Sequence, residues 1–232
     1  MDHASGSTKP WTVRLDRLID ALEGEVILSY VAGARVLDLG YGSPEIARWT
    51  DEIAESRVHF PLDRWLSDAQ GEIRLPLDAN SFDVVVCTRT FAHLGVDAES
   101  SLNAARTLLA EASRVTTPGG YVLLEIKNPR SMRGLAQGIR RPITIVRGRI
   151  LPGTDHRLDR YDTLKHLAAL TPPTLVRQQI HAIHTLVPGR ALTLPFIGPL
   201  IARAERWARD MPVIRHFGAD LLVILRREGE TR

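Results

Sequence analysis

Cysteine, methionine, lysine and aromatic residues are all scarce in this 232-residue chain. The single cysteine, Cys87, excludes an internal disulfide and fits a reducing, cytoplasmic compartment. No apolar run reaches 18 residues, so no membrane-spanning helix is expected. The opening Met1-Asp2-His3-Ala4-Ser5-Gly6 lacks the basic start and apolar stretch of a signal peptide. Aromatic residues make up 6%, which leaves few platforms for stacking nucleobases. No internal repeat and no low-complexity tract is found. What is present is the make-up of an ordinary globular protein, 44% hydrophobic and 25% charged, at the length of one large domain.

The net charge of +3 conceals a split. Residues 1–126 hold 11 basic and 19 acidic side chains, and residues 127–232 hold 19 and 8. Lys9, Lys127 and Lys165 are the only lysines, so arginine supplies nearly all the positive charge. Residues 127–154 contain seven basic side chains and no acid. Such asymmetry raises nucleic acid, an anionic membrane surface or an anionic substrate as partners.

Hydrophobic spacing organises the acidic half. Val13, Leu15, Leu18, Ile19, Leu22 and Val26 predict one or two helices over 10–31. A short apolar run over 34–39 ends in glycines, the mark of a buried parallel strand entering a turn. A helix is predicted over 44–55, short strands over 58–60 and 82–87, a helix over 100–115 and a strand over 121–126. Thr117-Pro118-Gly119-Gly120 is expected to stop the helix by turn chemistry. In the basic half, helices are predicted over 161–170 and 197–208, and strands over 175–183 and 220–225. Strands alternating with helices argue an α/β fold with a mostly parallel sheet.

Val36-Leu37-Asp38-Leu39-Gly40-Tyr41-Gly42-Ser43-Pro44 puts an acid and two glycines at the carboxyl end of the first strand, where open α/β sheets bind ligands. Ser43 suits an N-cap and Pro44 the first helical position, so a helix with free N–H groups starts at once. A dinucleotide loop would need a third glycine where Glu45 stands, and a phosphate-cradling loop would need Gly-Lys-Ser/Thr. Neither is present. A tight strand-to-helix turn with no ligand is the plain alternative.

This glycine loop resembles the first motif of class I S-adenosylmethionine-dependent methyltransferases. Leu75-Pro76-Leu77-Asp78-Ala79-Asn80-Ser81-Phe82-Asp83-Val84-Val85 is similar to a later segment of that family. Leu108 to Val115 with Pro118-Gly119-Gly120-Tyr121 resembles the helix, turn and strand that follow. The resemblance covers residues 33–127. It implies a Rossmann-like, seven-stranded, mostly parallel sheet flanked by helices, with a lid or insertion in the C-terminal half. The chain then divides, within a single methyltransferase domain over 1–232, into N-terminal helices (10–32), a cofactor-binding core (33–127), an acceptor lid (127–160) and an insertion before the last strand (184–217).

By the same resemblance Asp38, Gly40, Tyr41 and Gly42 would wrap the cofactor S-adenosylmethionine, and Thr88 would lie beside it. Asp63 is the candidate for the ribose hydroxyls, because a carboxylate accepts two hydroxyl hydrogen bonds at once. Asp68 and Glu72 compete for the place near the adenine. The usual third glycine is replaced by Pro44 and the stretch from Asp63 to Leu75 is short, which reduces or removes one helix. The candidate general base is His93, whose unperturbed pKa suits proton removal near neutral pH. His156 and Tyr161 would line the acceptor pocket, although a plain helix start fits them as well. Asn128 sits at the same sheet edge. Asp155 with His156 could help hold a divalent cation such as Mg. Cys87, inside a strand, reads as a small core hydrophobe.

The expected activity is O-methylation of a small polar acceptor, a sugar or secondary-metabolite hydroxyl. Two other readings stand beside it. The arginine-rich 127–154 suits an RNA or tRNA methyltransferase, but the Asn/Asp-Pro-Pro-aromatic signature of base-amino methylation is missing after Cys87. The second is a non-catalytic protein of the same fold. The amphipathic, basic segment running from Leu194 through Arg209 could then meet anionic lipid or form a homodimer face. A helix packed beside the last strand is the plainer account of it.

Overall fold

A computed structural model describes residues 10–40, 42–62, 74–95, 97–131, 149–152, 158–185 and 197–229. Eight strands form one sheet: β1 (Arg35–Asp38), β2 (Ser56–His59), β3 (Phe82–Cys87), β4 (Thr116–Lys127), β5 (Arg149–Pro152), β6 (Leu158–Tyr161), β7 (Leu175–Ile183) and β8 (Asp220–Arg227). The described helices are α1 (Pro10–Val31), α2 (Pro44–Ile53), α3 (Ala98–Val115), α4 (Leu164–Leu170) and α5 (Ile197–Asp210). Two 3-10 turns, Phe91–His93 and Ile214–Phe217, precede α3 and β8.

β2, β1, β3 and β4 lie side by side and parallel. β8 closes on β4 antiparallel, and β7 on β8 in the same sense. The β5–β6 hairpin joins the sheet through β6, which meets the end of β4 at Lys127 and Tyr161. The result is the expected Rossmann-like, mostly parallel sheet, with the hairpin as an additional feature. After β1 the chain turns to β2 on one side, then crosses to β3 on the other. This topological switch point opens a crevice at the carboxyl ends of β1 and β3.

The strands run apolar on both faces because helices cover both. Leu37, Val85, Val122, Leu124, Val223 and Leu225 pack with α3 and α4 on one side. Val36, Val84, Val86, Leu123, Leu222 and Ile224 pack with α1 and α2 on the other. This odd-and-even division is the period of two that a strand imposes. A single 22-residue helix occupies the N-terminal region. Its Leu22, Val26 and Ile27 face the sheet.

Three local expectations are revised. Thr117-Pro118-Gly119-Gly120 is no loop: β4 begins at Thr116, directly after α3. The turn residues are absorbed by a register shift against β3, with Gly119 at φ +85°. A Cβ on Gly120 would stand 2.6 Å from the Asp83 carbonyl oxygen, so the strands approach too closely for any side chain there. The predicted helix over 161–170 starts only at Leu164, and the residues before it form β6. α3 starts two residues earlier than its apolar spacing indicates, because Asp97 and Ser100 form a reciprocal capping box.

Candidate active site

The glycine loop sits at the switch point. Asp38 ends β1, and its Oδ1 accepts a hydrogen bond from the Gly40 amide at 3.0 Å. Its Oδ2 accepts from Arg57 Nη1 at 3.0 Å and lies 3.4 Å from His59 Nδ1. Both oxygens are therefore engaged in bracing the loop. Arg57 is itself held by Asp51. Gly40 has no room for a side chain, since a Cβ would meet the Thr88 carbonyl oxygen at 2.5 Å. Thr88, at the end of β3, is buried directly against the loop. Gly42 adopts φ +40°, in the left-handed region that glycine enters without strain.

α2 follows with Pro44 in its first turn. The Ser43 hydroxyl donates to Glu45 Oε2 at 3.1 Å and makes no capping bond to the helix. The first N–H groups of α2 are thus left to meet an anionic ligand group. A carboxylate-braced loop, bare backbone at positions 40 and 42 and an uncapped helix start fit the ribose and methionine parts of S-adenosylmethionine. Tyr41, Asp63, Asp68 and Glu72 lie outside the described residues.

A second feature lies past the ends of β3 and β4. A cavity of about 250 Å³ is lined by Asp16, Arg89, His93, Glu125, Lys127 and Asp220, among others. His93 closes the 3-10 turn after β3. Its Nδ1 lies 3.0 Å from Asp159 Oδ1 on β6, and Lys127 Nζ reaches the same oxygen at 2.6 Å. Burial pushes the Asp159 carboxyl up, but hydrogen bonds from His93 and Lys127 outweigh it and hold the group at about 2.

Arg89 follows Thr88 in the left-handed region, at φ +56°. Its amide donates to Glu125 Oε2 at 2.9 Å, and its guanidinium pairs with Asp20 and Glu23 of α1. A non-glycine residue held there stores strain that clusters at functional sites. Burial raises the pKa of both Glu23 and Glu125 despite the guanidinium between them.

Arg160 holds the His93 turn from beneath. It is fully buried, yet each guanidinium nitrogen has a partner. Nε donates to Asp162 at 2.8 Å, Nη1 to the Ser101 carbonyl at 2.7 Å and Nη2 to the Phe91 carbonyl at 3.1 Å. The guanidinium also lies 4.2 Å from the Phe91 ring centre.

The structure therefore brings Asp38, Gly40, Gly42 and Thr88 together, and sets His93 beside a cavity. Tyr161 is buried on β6 and is not among the residues lining that cavity. His156 and Asp155 lie outside the described residues, and among those described no group of His, Cys, Asp or Glu could hold a metal ion. Asn128 is saturated: its side-chain amide donates to the His216 and Gly218 carbonyls, and its oxygen accepts from the Arg130 amide. Cys87 is fully buried, and burial pushes its thiol up to about 12, as a core residue requires. Sequence reasoning missed Arg57, Arg89, Lys127, Asp159 and Arg160. Asp159 and Arg160 carry the nearest signal, lying between the candidates His156 and Tyr161.

Residues 25–124 match the family model of the methyltransferase domain. That match spans the glycine loop, β3 and the His93 turn, where the geometry converges. Residues 25–124 thus carry a methyltransferase domain, and the cofactor of that domain is S-adenosylmethionine. No curated protein sequence is significantly similar to it. Solved structures agree in fold. An S-adenosylmethionine-dependent methyltransferase from Mesorhizobium loti is 15% identical, with a TM-score of 0.52 over 92% of this chain and 100% of its own. One from Thermotoga maritima, described as a possible histamine N-methyltransferase, is 14% identical, with a TM-score of 0.53 over 94% of this chain and 93% of its own. One from Methanosarcina mazei is 13% identical, with a TM-score of 0.51 over 88% and 98%. At these identities the likeness shows the fold alone and leaves the acceptor to chemistry. Among the described residues no helix is long and apolar enough to cross a membrane.

Proposed function

We propose that this methyltransferase O-methylates a small polar acceptor bound in the cavity beside His93, a sugar or secondary-metabolite hydroxyl being the leading class. The pairing of His93 with Asp159 carries the reading. A hydroxyl is a poor nucleophile until its proton has somewhere to go. Asp159 holds His93 through Nδ1, so the ring takes the acceptor's proton at Nε2. The aspartate stabilises the imidazolium that forms, and Lys127 keeps the aspartate ionised. S-adenosylmethionine, bound at the Asp38–Gly42 loop, supplies a methyl group already activated by its sulfonium. Arg89 and Glu125 line the same cavity and supply polar groups to orient the acceptor. The whole of residues 1–232 acts as one domain in this reading, with 127–160 forming the acceptor side.

The test is a screen of sugars and small alcohols with labelled cofactor. Transfer to a hydroxyl by the wild type, and its loss in His93→Ala with cofactor affinity retained, would support the assignment. Undiminished turnover in His93→Ala would remove His93 as the base. A second reading, N-methylation of an amine, is favoured by Asp16 and Asp220 on the same cavity, which draw in an ammonium that reacts once it has lost its proton. Transfer to amines alone in the same screen would select it.

A further inference from the structure

The methyltransferase has a second cavity that methyl transfer leaves unused. It encloses about 410 Å³ and lies between the end of β4, α4, β7 and the turn before β8. Arg130, Lys165, Arg177 and His216 line it, and among the described residues no acidic one does. Among the described residues none of these four side chains has an ion-pair partner. The contrast with the rest of the sheet's carboxyl edge is sharp, because Arg57, Arg89, Lys127 and Arg160 are all bound to carboxylates there. Between the cations the wall is apolar, formed in part by Leu164 and Leu221.

The site is built rather than incidental. Asn128, 2% exposed, ties the Arg130 amide to the carbonyls of His216 and Gly218. The segments that carry Arg130 and His216 are thereby fixed to the end of β4. Lys165 and Arg177 come from α4 and β7. Consecutive strand residues point to opposite faces. Lys127 accordingly serves the cavity of His93, and Asn128 serves this one.

We propose that this cavity binds a phosphate monoester. Two guanidiniums suit the bidentate recognition of a phosphoryl group. A phosphate monoester carries close to two negative charges near neutral pH, which matches a cluster of this strength better than a single carboxylate does. The apolar wall takes the organic part. A volume of this size accommodates a small metabolite rather than a bare ion.

Calorimetry with the full chain and phenyl phosphate tests the proposal, with benzoate as the monoanionic counterpart at matched ionic strength. Saturable one-to-one binding of phenyl phosphate, weaker for benzoate, is expected. Arg177→Gln should weaken it about tenfold, and Arg177→Gln with Lys165→Gln about a hundredfold, each losing a charge-assisted contact. Arg177→Lys keeps the charge but not the bidentate fork and should fall between the wild type and Arg177→Gln, and Arg106→Gln, on the exposed side of α3, should change nothing. Both lining residues are solvent-exposed, so the variants are expected to keep the wild-type circular dichroism spectrum. Absence of saturable binding would overturn the assignment. So would equal affinity in the double variant, equal affinity for benzoate, or binding of mixed tRNA without phenyl phosphate. Cofactor binding, measured separately, reports on the methyl-transfer reading by itself.

Discussion

At the scale of single residues, Asp38 and Asp159 work through what they brace. Asp38 has both oxygens engaged, one by the loop amide and one by Arg57. Asp38→Ala is therefore expected to abolish S-adenosylmethionine binding by releasing the loop, and calorimetry checks it. Asp159 predicts a pH dependence of stability. Its folded pKa of about 2 lies below the ordinary carboxylate value. The stabilisation it contributes is fully present above about pH 4 and is lost as pH falls towards about 2. In Asp159→Asn that acid-limb loss should shrink, seen as a smaller difference in urea midpoint between pH 6 and pH 3. A wild-type-sized difference would assign the acid sensitivity to other carboxylates. Asp38, Gly40 and Gly42 were legible as a motif because a glycine loop must keep its order along the chain. The pairings of Arg57 with Asp38 and of Asp159 with His93 were not, because β2 and β6 bring these partners together only once the sheet has formed.

At the scale of elements, Arg160 joins three pieces: β6, the start of α3 and the turn that carries His93. Its ion pair with Asp162 is fully buried. Removing Arg160 leaves the buried Asp162 carboxylate with His166 as its ion-pair partner and strips the Ser101 and Phe91 carbonyls of a donor, and breaking a buried pair costs up to about 3–5 kcal/mol. Arg160→Met is expected to lose stability of that order in urea denaturation, and to lose turnover as the His93 turn relaxes. A loss under about 1 kcal/mol would show that water or local rearrangement rescues Asp162. β6 itself was misread as the beginning of a helix. Four residues carry too short a pattern to separate a strand from a first helical turn, and Leu158–Tyr161 is extended because Lys127 and β5 offer it partners. β3, β4 and β8 were readable for the opposite reason: long apolar runs have only a buried strand as their solution here.

At the scale of the whole molecule, the two oppositely charged halves are stitched together. Glu25 on α1 receives Arg206 and Arg209 from α5. Arg206 and Arg209, counted in the sequence among groups available to anionic lipid, are instead turned towards α1. These pairs are partly exposed, so each contributes little. Glu25→Ala should reduce global stability by less than about 1 kcal/mol while speeding amide exchange across α5, because the loosened element is a local one. Unchanged exchange over Ile197–Asp210 would show that α5 is held by apolar packing alone.

The places of β1–β4, β7 and β8 with the helices between them, the glycine loop and the methyltransferase motifs were determined by the sequence itself. Each rests on signals confined to a few consecutive residues: apolar periodicity, turn chemistry and a short motif. Only the tertiary structure decided which charges meet. It placed Asp159 on His93, Glu125 on the Arg89 amide, and Arg130, Lys165, Arg177 and His216 around one unclaimed cavity. Charge partners separated by tens of residues leave no periodic trace in the chain. They are chosen by sheet topology, which brings distant strand ends to one edge.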